Sequence, residues 1–372
     1  MPKFLGNRFG TVAPVNPGGI APSAIYNMFD QYYMKQRGGY LKLSFAGSGG
    51  TKVIYNNIVY HTFTSSGAFT VTEPAGLDNA TNVNLLVQGA GAGGGMIGGG
   101  GGAGGQVQAT GVSLPVSGGP YPVVIGTGGA VALTAGSRGS DGGDTTFNSP
   151  TTNLVTAKGG GGGGSHSSGS NSVGGNPGGC GGGGSDNSSS SPQSYGTSNQ
   201  PTSTPLPGTF NYYGNRGGTG SPAYNASPRG GGGGGGTGAA GEDFPNRDGG
   251  DGRPYTIPTK DNPDTQTNYW FGGGGGGGPY ENSKQGAGGR GGGGGSYNDA
   301  PFGAALSPGG ADGYGDNVNN NNSNPTIPTT AGGRAATNSG GGGGGARWSS
   351  YNPGIITGGP GIVVISYPNN LD

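Results

Sequence analysis

Few residues in this chain can do chemistry. Two histidines (His61 and His166) and one cysteine (Cys180) accompany 17 acidic and 17 basic residues in a chain of 372. Neither histidine has a His, Cys or acidic neighbour at metal-ligand spacing. A hydrolase triad would have to use one of them, and no Gly-x-Ser-x-Gly elbow supports it. His61 falls inside an alternating strand pattern, which reads as a structural histidine. Cys180 sits among glycines, where a small side chain suffices, and a single cysteine excludes an intramolecular disulfide. Gly-x-Gly-x-x-Gly matches occur throughout, but none follows an apolar strand and opens a helix. Lys158 precedes its glycine run and Lys284 lacks the rest of a phosphate loop. The strings Asp141-Gly-Gly-Asp144 and Asp248-Gly-Gly-Asp251 pair carboxylates in what read as glycine turns. Turn formation explains them better than a bound Ca²⁺. Residues 309–313 faintly match a calcium β-roll repeat, but the string is not iterated. No catalytic constellation, cofactor or metal is expected, and the chain reads as a non-enzyme.

The chemistry that remains belongs to the backbone. Uninterrupted glycine runs occupy 98–102, 159–164, 181–184, 230–236, 272–278, 291–295 and 340–345. Bare glycine buries no side chain and loses the most conformational freedom on folding. The runs therefore either stay disordered or satisfy one another. Polyproline-II-like helices have three residues per turn, a rise of about 3.1 Å and outward-facing N–H and C=O groups. Only glycine lets such helices approach closely enough to exchange those groups. A seven-residue run would span roughly 22 Å, with the intervening segments displayed as loops at the bundle ends.

Bulk composition narrows the class. Glycine (98) and proline (28) make up a third of the chain, a share that alone would suggest low complexity. Net charge is zero and 9% of residues are charged, so self-repulsion does not keep the chain expanded. The same balance gives no footprint for nucleic acid or an anionic membrane. No stretch is long and apolar enough to insert in a bilayer. No apolar run follows Lys3 and Arg8, so a secretory signal is not expected.

Two domains are expected, an arm over 1–39 and a glycine-rich domain over 40–372. Ile25, Met28, Phe29, Tyr32 and Tyr33 fall at helical spacing after Ser23, predicting one short helix. Its apolar face needs a partner, either its own domain or a larger assembly. Short β-branched and aromatic segments follow at 40–45, 52–55, 58–64, 68–72, 83–87, 106–113, 121–125, 130–134, 145–147 and 153–157. Asn56-Asn57 and Ser65-Ser66-Gly67 carry hairpin-turn chemistry. The closing 361–367 is apolar enough for a strand buried on both faces, which makes 158–360 an excursion from one domain. The fold expected is all-β: a jelly-roll-like β-sandwich elaborated by packed polyglycine-II helices and long loops. The segments 185–229, 237–271 and 296–339 combine aromatics with Asn, Ser, Thr and Pro, the chemistry of a paratope. Tyr212, Tyr213, Tyr224, Tyr255 and Tyr314 are their candidate binding residues; capping of the bundle is the alternative for such aromatics.

The string from His61 through Val71, the string from Asn84 through Gly95, and the close from Gly359 to Pro368 share one pattern. Together they resemble the glycine-rich domain of tail-fibre and other virion-surface proteins of bacteriophages, notably phages of marine bacteria. The stretch from Phe29 to Met34 is similar to the segment that often precedes such domains. Long glycine runs parted by variable loops more distantly resemble the polyglycine-II tip adhesins of T-even-like phages, without a strand-by-strand match. The resemblance implies a virion fibre or adhesin subunit whose loops bind a bacterial surface receptor, protein or glycan. Its N-terminal segment would contact other virion proteins. The alternative is a structural capsid or tail decoration without a receptor. The protein would lie on the virion surface after synthesis in the host cytoplasm. Fibres of this kind are usually homotrimers, although no coiled-coil heptads here demand one.

Overall fold

The computed structural model describes residues 46–72, 81–114, 119–148, 154–167, 172–186, 194–203, 206–222, 229–259, 262–280, 285–296, 333, 335–346 and 357–369. The arm over 1–39, with its expected helix, and the strand expected at 40–45 lie outside these residues. Among the described residues every regular hydrogen-bonded element is a strand.

Six strands form one antiparallel sheet. They are β2 (Thr51–Tyr55), β3 (Ile58–Phe63), β5 (Thr81–Gln88), β6 (Gln106–Leu114), β10 (Thr209–Tyr213) and β13 (Ile362–Pro368), in the order β10-β6-β5-β13-β3-β2. Five more form a second sheet in the order β1-β4-β7-β8-β9. These are β1 (Ala46–Ser48), β4 (Gly67–Thr72), β7 (Tyr121–Val124), β8 (Thr145–Phe147) and β9 (Val155–Ala157). Phe63, Phe69, Leu85, Val107, Phe147, Val363 and Ile365 interdigitate between the sheets as a side-chain core. The other face of the first sheet, carrying Tyr60, Leu86, Ile362 and Val364, is covered by the hairpin β11 (Arg253–Thr259) and β12 (Asn262–Phe271) through Ile257 and Phe271. β13 is thus buried on both faces and sits between β5 and β3, as its continuous apolar run predicts. Strands from both ends of the described chain close one sheet, so the glycine-rich stretch is an excursion from a single frame.

Three sequence expectations need correction. Asn56 and Asn57 do turn β2 into β3 with positive φ, as a two-residue hairpin requires. Ser65-Ser66-Gly67, however, joins strands of different sheets, because β3 pairs with β2 and β13 and β4 with β1 and β7. Residues 130–134 form no strand. Ala130 makes one isolated bridge to Thr357, and the chain then turns through Thr134–Ser137. Finally, β10, β11 and β12 arise within segments expected to be loops. Their aromatics pair with an existing sheet or cover its free face, a tertiary gain that local composition does not display.

The strands run directly into the glycine stretches. β5 feeds 89–95, stretch 98–105 feeds β6, β9 feeds 158–164 and β12 feeds 272–278. Gln88 and Gln106 are fully buried at this change of geometry. Gln88 Nε2 donates to the Gly104 carbonyl at 2.9 Å and Gln106 Nε2 to Gln88 Oε1 at 3.1 Å.

Beyond the junction the partners of the backbone rotate with a period of three. Gly99, Gly102 and Gly105 donate to Gly164, Gly161 and Lys158; Gly100 and Ala103 donate to Gly232 and Gly235; Gly101 and Gly104 donate to Gly343 and Gly340. These bonds are 2.7–3.0 Å long. The carbonyls answer in the same rhythm. Gly98 and Gly101 accept from Gly278 and Gly275, Gly99 and Gly102 from Gly95 and Ala92, and Gly100 and Ala103 from Gly183 and Cys180. Stretch 98–105 therefore lies at the centre of six neighbours, the packing expected of threefold helices that bond outward on all sides. Run 272–278 has six neighbours of its own: 98–101, 231–237, 247–250, 286–289, 291–294 and 342–345. Within the seven runs positive φ occurs only at Gly272, Gly291, Gly292 and Gly340, where a run begins. A Cβ at Gly275 would drive into the carbonyl oxygen of Gly343. The bundle core is almost entirely backbone, with a few small side chains such as Ala103 and Cys180.

Candidate functional site

The bundle has a sandwich end and a far end, and the stems of several connecting segments collect at the latter. Run 98–102 starts there beside Gly164, Gly184, Gly231, Gly278 and Ala346. The described residues that flank 168–171, 187–193, 223–228, 281–284, 297–332 and 347–356 lie on this side; those segments themselves are outside the described residues. The stems of five of these segments carry Ser165-His166, Ser185-Asp186, Ser221 and Arg229, Tyr280, and Ser296.

Four stems are tied by a buried polar cluster. The Asp186 carboxylate is fully buried; its Oδ2 lies 3.8 Å from His166 Nδ1 and 3.9 Å from Arg229 Nε. Ser221 Oγ donates to Asp186 Oδ1 at 3.3 Å. The Arg229 guanidinium stacks over the Tyr280 ring at 3.7 Å, and His166 meets the same ring edge-on at 5.1 Å. Arg247 is also fully buried, with its guanidinium 4.9 Å from the Phe244 ring centroid. Burial pulls its pKa down to about 10, against the opposing attraction of Asp186. Burial, reinforced by Arg229, holds the His166 imidazole below its ordinary value and so favours its neutral form. A buried carboxylate persists only with such partners, and removing one leaves the others uncompensated. The cluster ties these stems to one another.

Ser172, His166 and Asp186 name the members of a hydrolytic triad, but the geometry differs. Ser172 Oγ is 3.3 Å from Nδ1 of His166, the same nitrogen that faces Asp186. A relay needs the nucleophile and the carboxylate on opposite ring nitrogens. The other candidates are packed into the frame. His61 is buried, its Nδ1 2.6 Å from the Gly49 carbonyl and its Nε2 3.0 Å from the Tyr367 hydroxyl; desolvation lowers its pKa. The Cys180 thiol is fully buried and pushed up to about 12 by burial, far from a reactive thiolate. Asp141, Asp144, Asp248 and Asp251 lie in extended stretches and not in turns, and each accepts a backbone N–H.

Three of the expected binding tyrosines fall among the described residues, and these lie away from the far end. Tyr212 and Tyr213 lie on β10 at the sandwich end, where Tyr212 packs against the core and bonds the Ser203 carbonyl, and Tyr213 carries the Arg253 guanidinium 3.9 Å above its ring. Tyr255 lies on β11 against the sheet; burial first, eased by a Ser366 hydrogen bond, raises its pKa to about 12. Tyr224, Tyr314, Ile25, Met28, Phe29, Tyr32 and Tyr33 lie outside the described residues. The cluster of His166, Asp186, Arg229 and Arg247 went unread in sequence. For His166, Asp186 and Arg229 the signal is an ionisable residue directly abutting a glycine run, or one Ser away, in a chain with so few charges; Arg247 abuts no run.

Comparison with known proteins agrees with this geometry at the level of the family. A model described as a glycine-rich domain matches residues 64–334. No curated protein matches the chain.

Proposed function

We propose that this chain, which belongs to the glycine-rich domain family, is a phage virion fibre or adhesin subunit that presents its far-end segments to a bacterial surface receptor. One observation carries the reading: the described residues that flank six connecting segments lie at a single end of a scaffold whose core is almost entirely backbone. Sequence change in such segments leaves the bundle hydrogen bonds intact, so binding specificity varies without loss of fold. The buried Asp186 cluster holds the stems of four of them and so reduces the ordering required on binding. In this reading the protein lies on the virion surface, and residues 1–39 contact other virion proteins or sister subunits of a trimer.

The test is adsorption competition with the purified full chain and the phage that encodes it. The wild-type chain should slow adsorption to host cells. Variants with 187–193 and 223–228, or 297–332, replaced by Gly-Ser linkers should lose that effect while melting like wild type. Particle binding by a folded chain without any competition would instead identify a structural decoration.

A further inference from the structure

A hexagonal polyglycine array has no natural edge. Every outward amide on its flank is a docking point for one more helix, as an unpaired sheet edge is for a strand. A finite bundle must close that lattice. Run 159–164 exchanges backbone hydrogen bonds with 90–93, 99–105, 139–142, 176–179 and 180–183. Its amides at Gly159 and Gly162, three apart and so on one face, donate instead to Oδ1 of Asp144 at 2.8 Å and Oδ1 of Asp141 at 2.7 Å. The second Asp-Gly-Gly-Asp string repeats the device on another flank. Ala287 and Arg290, again three apart, donate to Oδ1 of Asp248 at 2.7 Å and of Asp251 at 2.8 Å.

The spacing is the physical key. Three residues make one turn, so both carboxylates rise on the same face in step with the amides they meet. The glycine after each first Asp faces inward: a Cβ at Gly142 would enter the Ala90 carbonyl, and one at Gly249 the Gly274 carbonyl. Asp141, Asp144 and Asp251 are exposed. Each side-chain oxygen accepts from the amide that would otherwise donate to a carbonyl of an incoming helix, so the docking point is already filled. We propose that the pairs Asp141/Asp144 and Asp248/Asp251 are edge seals. They occupy the lattice position of a further polyglycine helix and keep a second copy of this chain from docking run against run. Two adjoining contacts brace the first pair, Lys158 Nζ at 3.6 Å from Asp144 Oδ2 and Asn176 Nδ2 donating to Asp141 Oδ1 at 3.0 Å.

Sedimentation velocity of the full chain over a concentration series tests the seal. The D141A/D144A and D248A/D251A variants should form species larger than wild type forms at the same concentration. The D141N/D144N variant keeps an acceptor oxygen and should sediment as wild type. Ala variants that fold and sediment as wild type would overturn the proposal. So would Asn variants that associate as strongly as the Ala ones, because lost charge and not a lost acceptor would then be responsible. Amide exchange in the wild-type chain decides the matter if the Ala variants fail to fold. Gly159, Gly162, Ala287 and Arg290 should exchange at least about tenfold slower than unprotected amides, as closure by a charge-assisted hydrogen bond implies. Exchange at the unprotected rate would refute the seal.

Discussion

The sandwich and the bundle are two solutions to one problem, the burial of backbone polar groups. In the sandwich the ladders leave side chains free to form the core, and Leu85, Phe147 and Ile365 fill the space between sheets. In the bundle the ladders are the core. Run 98–105 exchanges its hydrogen bonds with six neighbours and has no room for a side chain between most of them. The two regions should therefore respond in opposite ways to the same substitution. A sandwich core position suffers from lost volume, a bundle position from added volume. The comparison also separates driving forces. Apolar burial stabilises the sandwich at roughly 25 cal/mol per Å², whereas the bundle depends on hydrogen bonds of about 1 kcal/mol net each, set against the entropy of ordering glycine.

The largest effect is expected from Gly275→Ala. Its methyl would meet the Gly343 carbonyl in a place where backbone cannot shift without breaking neighbouring bonds. Destabilisation above about 4 kcal/mol, the exceptional class for one methyl group, is expected in chemical denaturation. A loss below about 1 kcal/mol would break the comparison. Next comes Leu85→Ala, which empties a fully buried site between the sheets and should destabilise by about 3 kcal/mol. Amide exchange should show that loss spread over the strands. Gly111→Ala sharpens the contrast. Its Cβ meets nothing within 4 Å, yet φ is +64°, so only left-handed strain of about 1 kcal/mol should appear.

The smallest expected effect is a pH dependence shared by the regions. His61 in the sandwich and His166 at the far end of the bundle both have pKa values lowered from 6.5, chiefly by burial. The unfolded chain then binds protons more readily than the folded one, so stability present at pH 7 is lost as pH falls from 6.5 toward the lowered values. Thermal melts should fall across that window, and H166N should flatten part of the slope. A melting temperature that rises on acidification would contradict both assignments.

Much of the frame was legible in sequence. The strand at Ile362–Pro368 announces two-sided burial by its unbroken apolar run, and Asn56-Asn57 announces the β2–β3 hairpin by its tolerance of positive φ. The far-end site was not legible. His166, Asp186, Arg229 and Arg247 are spread over about eighty residues of glycine-rich chain, and no local pattern marks them as neighbours. Tyr212, Tyr213 and Tyr255 read as loop residues because their strands gain stability only by pairing with β6 or by covering β5 and β13.

By itself the sequence determined that the glycine runs either pack as outward-bonding threefold helices or stay disordered, since bare glycine offers no side-chain core. It also determined that an all-β frame carries them. Only the tertiary structure decided which run lies beside which, where the tyrosines sit, and that each Asp-Gly-Gly-Asp string meets two amides of a neighbour. The reason is that a glycine run carries no side-chain label: every face of it bonds equally well. Its partners are chosen by the strands into which it feeds and by the few residues that are not glycine.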